Sequence, residues 1–225
     1  MFNSSTVGKA DIFPAKRPLF YYITDRKRLH GRSLLGCICR AVEWGVDFIQ
    51  IREKDLEDRA LFELTRRVLT AARGTKCRVL VNGRADVALA AGAHGVHLPS
   101  MGFQISDIRK WLPADLLIGV SVHTMTEIRR ACAQRADYLL LGHLFPTESK
   151  LGYGSPVGLR RLRKACSSTS VPILGLGGIK PELIESVLDC GAAGVAGIGL
   201  FQDARYRIQD VIYRISHPVR RLPER

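Results

Sequence analysis

The chain has 225 residues, 34 lysines and arginines against 21 acids, a net charge of +13, and 46% hydrophobic with 24% charged residues. That usage is ordinary for a globular protein of one large domain and excludes a disordered, collagen-like or coiled-coil chain. No apolar run reaches the roughly eighteen residues of a membrane span, and residues 1–18, with Lys9, Lys16 and Arg17, lack the apolar segment of a secretory signal.

Residues 1–18 therefore read as a loose N-terminal leader, and the expected location is the cytoplasm. From Leu19 onward, short β-rich apolar runs recur: Leu19 to Thr24, Phe48 to Arg52, Arg78 to Asn82, Gly95 to Leu98, Leu117 to Ser121, Tyr138 to Leu141, Pro172 to Leu176 and Gly194 to Ile198. Helical patterns separate them. Asp58 leads into Leu61, Phe62, Leu64, Val68 and Leu69; Thr124 caps Met125, Ile128 and Ala131; Pro181 precedes Leu183, Ile184, Val187 and Leu188.

Nearly all-apolar strands alternating with helices imply a parallel sheet covered on its outer side. Eight such units close into a barrel, and the G-x-G-x-x-G turn that would mark a doubly wound sheet is missing after the first run, where Tyr22-Ile23-Thr24-Asp25-Arg26 stands. The predicted fold is a single-domain α/β (β/α)8 TIM barrel over residues 19–202. A C-terminal helix and basic tail should fill 203–225, with the helix ending before Pro218.

In such barrels the chemistry sits where strands end. Strand two ends Gln50-Ile51-Arg52-Glu53-Lys54, and the two cations suit either a phosphate or carboxylate or a surface cluster with Glu53 and Asp55. Strand three ends at Asn82-Gly83. Strand five ends Ser121-Val122-His123-Thr124, which puts a group that titrates near neutrality just before a helix, as a general acid/base or as a cap. His97, inside a strand, reads as a satisfied core histidine, and the other histidines show no metal-site pairing.

After strand six the long loop from Gly142 to Gly154 carries Thr147, Ser149 and Lys150 between glycines and reads as a lid over an anion or as an ordinary turn-rich connection. Gly177 and Gly178 after strand seven, with Ile198 and Gly199 after strand eight, allow backbone N–H groups to approach a phosphate.

Six scattered cysteines without a C-x-x-C motif read as buried reduced thiols, with no disulfide framework and no zinc site. The basic clusters Arg26-Lys27-Arg28, Arg66-Arg67, Arg129-Arg130, Arg160-Arg161 with Arg163-Lys164, and Arg220-Arg221 lie in separate segments without any nucleic-acid-binding pattern. Solvated surface is the reading, with steering of anionic ligands as the second choice; neither nucleic acid nor membrane is an expected partner.

Taken in order, Tyr22-Ile23-Thr24-Asp25, Gln50-x-Arg52-x-Lys54, Gly95-Val96-His97-Leu98, Gly119-Val120-Ser121-Val122-His123, Ala136-Asp137-Tyr138, Gly142-x-x-Phe145-Pro146-Thr147-x-Ser149-Lys150 and Gly177-Gly178-Ile179 resemble the thiamine phosphate synthase superfamily over nearly the whole barrel. The resemblance implies a (β/α)8 barrel and one of two activities. The synthase branch holds Mg²⁺ on aspartates after strands three and four, where this chain reads Asn82-Gly83 and Pro99-Ser100-Met101-Gly102. Without those carboxylates the ion loses its expected ligands.

The thiazole tautomerase branch resembles the chain more closely, because a histidine after strand five is its proton shuttle. That resemblance implies an isomerase that aromatises an ylidene carboxythiazole phosphate without a cofactor. His123 would be the acid/base and Gly177, Gly178, Ile198 and Gly199 the phosphate donors. Lys150, with Thr147 and Ser149, would close the lid, and Arg52 and Lys54 would meet the substrate carboxylate. Gln50, Asn82 and Ser121 complete the expected substrate contacts. Family resemblance also suggests a homodimer. Two alternatives stand beside this reading: a thiamine phosphate synthase coupling a thiazole phosphate to a hydroxymethylpyrimidine diphosphate with Mg²⁺, and a non-catalytic phosphate-binding regulatory protein.

Overall fold

The structure is a computed structural model and describes residues 12–13, 17–147 and 154–216. Eight strands, β1 (Leu19–Ile23), β2 (Phe48–Ile51), β3 (Arg78–Asn82), β4 (Gly95–Leu98), β5 (Leu117–Val122), β6 (Tyr138–Gly142), β7 (Ile173–Leu176) and β8 (Gly194–Gly197), run parallel in sequential order. β8 pairs with β1, from Leu19 opposite Gly194 to Tyr22 opposite Gly197, and closes the barrel.

The connections carry helices α1 (Leu34–Glu43), α2 (Asp58–Ala71), α3 (Ala85–Ala91), α4 (Ile105–Arg109), α5 (Met125–Ala133), α6 (Gly158–Cys166), α7 (Ile184–Leu188) and α8 (Gly199–Gln202), and α9 (Ile208–Ser216) follows. The single-domain (β/α)8 barrel expected from the hydrophobic pattern is the observed fold. Strand bounds differ from the expected ones by one residue at most. β7 begins at Ile173 because Pro172 has no N–H to give the ladder, although its carbonyl still accepts from Leu139.

Period-two alternation divides the strands between two cores. Leu19, Tyr21 and Ile23 of β1 join Phe48, Leu80, Leu117, Tyr138, Leu140, Leu174 and Ala196 inside the barrel. Phe20, Tyr22, Ile49, Ile51, Val79 and Val81 point outward and pack under the helices. Burying each such side chain is worth about 1.5–3 kcal/mol, so this alternation also fixes which strand-end residues share the barrel axis.

Part of the expected loose leader is packed. Phe13 stacks on Phe48, with ring centroids 5.7 Å apart, and sits 5.8 Å from the Tyr138 ring, at the interior cluster. Arg17 is ion-paired with Asp47, whose Oδ2 also accepts from the Phe20 N–H at 2.9 Å. All six cysteines are free thiols; Cys37, Cys77 and Cys190 are buried and the other three half-buried. Among the described residues no helix is long and apolar enough to cross a membrane.

Candidate active site

Because all eight strands are parallel, their C-terminal ends open on one face, and the strand-end residues face one mouth. On β2, Gln50 shares the inward face with Phe48, two residues before it, and opposes Ile23 and Leu80 in the ladders. It is 1% exposed, and its Nε2 donates to Asn82 Oδ1 at 2.8 Å. Gln50 and Asn82 are thus one hydrogen-bonded pair across β2 and β3, with Gln50 Oε1 lacking a partner among the described residues.

The acids beside Arg52 are taken by other cations. Buried Glu53 accepts from the Arg26 backbone N–H at 3.1 Å and from its guanidinium at 3.2 Å, and Asp55 pairs with Arg26 and Lys27. Arg52 is half-buried, is anchored through its backbone N–H to Thr24 Oγ1 at 3.0 Å, and has no ion-pair partner among the described residues. The alternative of a surface cluster holding Arg52 is therefore not what forms. Lys54 is exposed and engaged.

His123 follows β5 and precedes α5. The cap of α5 is Thr124, whose Oγ1 accepts from the Glu127 N–H at 3.2 Å, while the Glu127 carboxylate reaches back to the His123 N–H. This reciprocal arrangement is worth about 1 kcal/mol to the helix start and frees the imidazole from capping. Its Nδ1 is bonded to the Gly142 carbonyl at the end of β6. A carbonyl can only accept, so Nδ1 carries the proton and Nε2 keeps its lone pair. The ring is exposed and borders a cavity of about 520 Å³ between α5 and α6, lined by Met125, Ile128, Leu141 and Ala165 and by Arg160, Arg161 and Lys164. Those three cations are exposed, as expected of solvated helix surface, and Arg160 and Lys164 stand one turn apart on the same face of α6.

Ser121 and His97 belong together. His97 is buried and bonded at both nitrogens, Nε2 2.8 Å from Ser121 Oγ and Nδ1 3.1 Å from Tyr138 Oη. Burial, and then the Arg52 charge, push its pKa down to about 3, which makes it the satisfied neutral core histidine expected.

The β7 and β8 ends carry the glycines. Gly177 has φ +91 and Gly178 φ +69, and a Cβ on Gly178 would lie 2.6 Å from the Phe145 carbonyl oxygen and 2.7 Å from that of Pro146. The Phe145 N–H donates to the Gly177 carbonyl at 3.1 Å. These two glycines are therefore needed for the close approach of the β6 and β7 loops, whatever else they do. Gly199 differs, because nothing stands within 4 Å of its missing Cβ. None of the turn, loop and cap hydrogen bonds among the described residues uses the N–H groups of Gly177, Gly178, Ile198 or Gly199. Thr147 is half-buried and engaged; Ser149 and Lys150 lie outside the described residues.

The residues at the mouth do not fit a magnesium ion, which takes one or two carboxylates with substrate phosphates. Asn82 Oδ1 is occupied by Gln50, Gly83 follows it, and Asp86 in α3 is paired through both oxygens to Arg84 at 2.6 and 2.9 Å. Pro99, Ser100, Met101 and Gly102 follow β4, and no three His, Cys, Asp or Glu side chains gather at a metal-binding distance among the described residues.

A closed parallel barrel with backbone N–H groups at the ends of β7 and β8 that no described residue uses is a (β/α)8 barrel of the kind that carries enzyme sites at its strand ends. The family described as thiamine monophosphate synthase matches residues 20–201, and the chain belongs to it. It is 44% identical over 176 residues to a protein of Geobacter sulfurreducens named putative thiamine-phosphate synthase, covering 78% of this chain and 83% of that one. It is 37% identical over 186 residues to the thiamine-phosphate synthase of Roseiflexus castenholzii, 83% and 82% being covered. The solved thiamine phosphate pyrophosphorylase of Pyrococcus furiosus superimposes with a TM-score of 0.78 at 30% identity, over 90% of this chain and 99% of that one. These relatives carry the synthase name, the alternative in the sequence reading, rather than that of the tautomerase.

Proposed function

We propose that this member of the family is an isomerase that converts a non-aromatic ylidene carboxythiazole phosphate into its aromatic tautomer. The observation that carries the reading is the His123 imidazole, held through Nδ1 by the Gly142 carbonyl at the end of β6 so that Nε2 is the nitrogen left for a substrate, in a barrel whose described residues gather no metal-binding cluster. Nε2 takes the proton from ring C2, the electron pair enters the conjugated ring, and the resulting imidazolium returns a proton to the exocyclic carbon. No net proton is consumed, so one histidine within reach of both carbons completes the cycle. The N–H groups of Gly177, Gly178, Ile198 and Gly199 receive the phosphate, the hydroxyls of Thr147 and Ser149 and the Lys150 ammonium are its expected further partners, and Arg52 and Lys54 receive the carboxylate. Gln50, Asn82 and Ser121 line the ring.

The names of the relatives favour a second reading, a thiamine phosphate synthase joining a thiazole phosphate to a hydroxymethylpyrimidine diphosphate. The donor set at the mouth weighs against it. Purified protein added to freshly made ylidene carboxythiazole phosphate should accelerate the ultraviolet change of aromatisation, and His123→Ala should abolish the acceleration. Mg²⁺-dependent coupling of the two heterocycles, with no tautomerisation above buffer, would reverse the order of the readings; binding without either turnover would leave a non-catalytic phosphate-binding protein.

A further inference from the structure

Four polar side chains inside the barrel form one continuous line of hydrogen bonds. Tyr21 Oη lies 2.8 Å from Tyr138 Oη, which lies 3.1 Å from His97 Nδ1, and His97 Nε2 lies 2.8 Å from Ser121 Oγ. Tyr21, Tyr138 and His97 are between 0% and 1% exposed; Ser121, two residues before His123, is the half-buried end. Tyr21 belongs to β1, which pairs with β2 and β8, so its bond to Tyr138 of β6 crosses the barrel interior. Gly119 faces both His97 and Tyr138 in the ladders, and a Cβ there would stand 1.9 Å from Tyr138 Cζ. The missing side chain is the room the phenol occupies.

A line of this kind can be polarised in two directions. Run inward, Ser121 donates to Nε2, Nδ1–H to Tyr138 and Tyr138 to Tyr21, which strands the Tyr21 proton at the closed end with no acceptor among the described residues. A buried donor left without an acceptor bears the full cost of its lost hydration. Run outward, Tyr21 donates to Tyr138, Tyr138 to Nδ1, and Nε2–H to Ser121 Oγ. Every buried proton is then used, and the one left over belongs to Ser121, at the end that meets the mouth. Both directions need a neutral ring, in keeping with the low pKa that burial imposes on His97.

We infer that the line runs outward, holds His97 as its Nε2–H tautomer and commits Ser121 to donating its hydroxyl proton into the mouth. His97 is a positioning residue acting through Ser121. The ligand atom that meets Ser121 is an acceptor without a proton of its own, a carboxylate oxygen, a phosphate oxygen or a ring nitrogen, and an N–H or O–H group at that place is disfavoured. The identity of the ligand rests on the proposed function; the direction of the line does not.

The test has two arms. Long-range proton–nitrogen NMR of protein labelled at its histidine nitrogens should show His97 as the Nε2–H tautomer at pH 7, its signals told from those of His94 by His94→Gln. An Nδ1–H tautomer or an imidazolium at His97 overturns the proposal with no variant of the line and no substrate involved. In the second arm the aromatic carboxythiazole phosphate is titrated into wild type, Ser121→Ala and Ser121→Thr. Ser121→Ala should bind about tenfold more weakly, the loss of one hydrogen bond to a charged acceptor, and Ser121→Thr should recover most of the loss by keeping the hydroxyl. Equal affinity of the alanine variant and wild type overturns the donor role. Failure of wild type itself to bind this compound sinks the proposed function, while the tautomer signal still decides the direction of the line.

Discussion

The Nδ1 atom of His123 is bonded to the carbonyl of Gly142, so a residue on the β5–α5 connection is oriented by the end of β6. The bond assigns the ring proton of the neutral imidazole to Nδ1 and the lone pair on which the proposed chemistry rests to Nε2. His123→Ala should therefore lower the aromatisation rate by about 10²–10⁴-fold. The ring is exposed and Thr124 caps the helix without it, so the thermal midpoint should move by no more than a few degrees. A full-rate alanine variant would remove the histidine from the chemistry.

Gly178 and Gly199 should part company on substitution to alanine. At Gly178 the Cβ meets two carbonyl oxygens under 3.0 Å and the backbone has positive φ, so Gly178→Ala should cost about 1–3 kcal/mol of stability. At Gly199 the Cβ meets nothing, so Gly199→Ala should fold as wild type and raise KM by crowding the N–H groups offered to the phosphate. Denaturant melts and KM read side by side distinguish the two outcomes.

Arg52 has no ion-pair partner among the described residues, whereas Arg26 is spent on Glu53 and Asp55. Arg52→Ala should raise KM about tenfold with a small effect on stability, the signature of a lost charge-assisted contact to substrate. Arg26→Ala should do the reverse, because among the described residues it leaves the 5%-exposed Glu53 with only the backbone N–H of residue 26. Kinetics and urea melts of the pair would expose an error in either assignment.

Acid should weaken the fold before the carboxylates titrate. Burial first, then the Arg78 charge, lower the pKa of His94 to about 4, and its Nδ1 accepts from the Val79 N–H at 2.9 Å; His97 is lowered to about 3. In the unfolded chain both titrate near 6.5, so below that pH the unfolded state binds more protons. The stability they contribute is whole above about pH 6.5 and is lost as the pH falls toward about 4 and 3, with a slope of at most about 1.4 kcal/mol per pH unit for each ring. Asp203, held at about 2 by Arg205, acts only lower in the range. Urea midpoints at pH 8 to 4 should fall through this window, and His94→Gln should flatten part of the slope; a flat profile contradicts the neutral burial of both rings.

Much of the fold and part of the site are legible in particular residues. The β3 and β4 bounds fall where the apolar runs end, Thr124 caps α5, and the two-residue spacing of Gln50 from Phe48 sends the glutamine to the same inward face. What stays hidden is pairing between distant segments. Arg26 and Glu53 are 27 residues apart, and nothing in either heptad-length neighbourhood says that Arg26 rather than Arg52 takes the acid. Nor does spacing reveal that Gly119 is the space for Tyr138, or that Phe13 of the apparent leader stacks on the interior.

The sequence by itself determined the eight βα units, the closed barrel and the short set of residues at one mouth, because hydrophobic periodicity and turn chemistry are local and each unit repeats them. Tertiary structure alone decided which nitrogen of His123 meets the Gly142 carbonyl, which cation pairs with Glu53, and how His97 reaches Ser121. Those choices depend on which carbonyl, carboxylate or hydroxyl a fold brings within about 3 Å, a distance that separation along the chain does not encode.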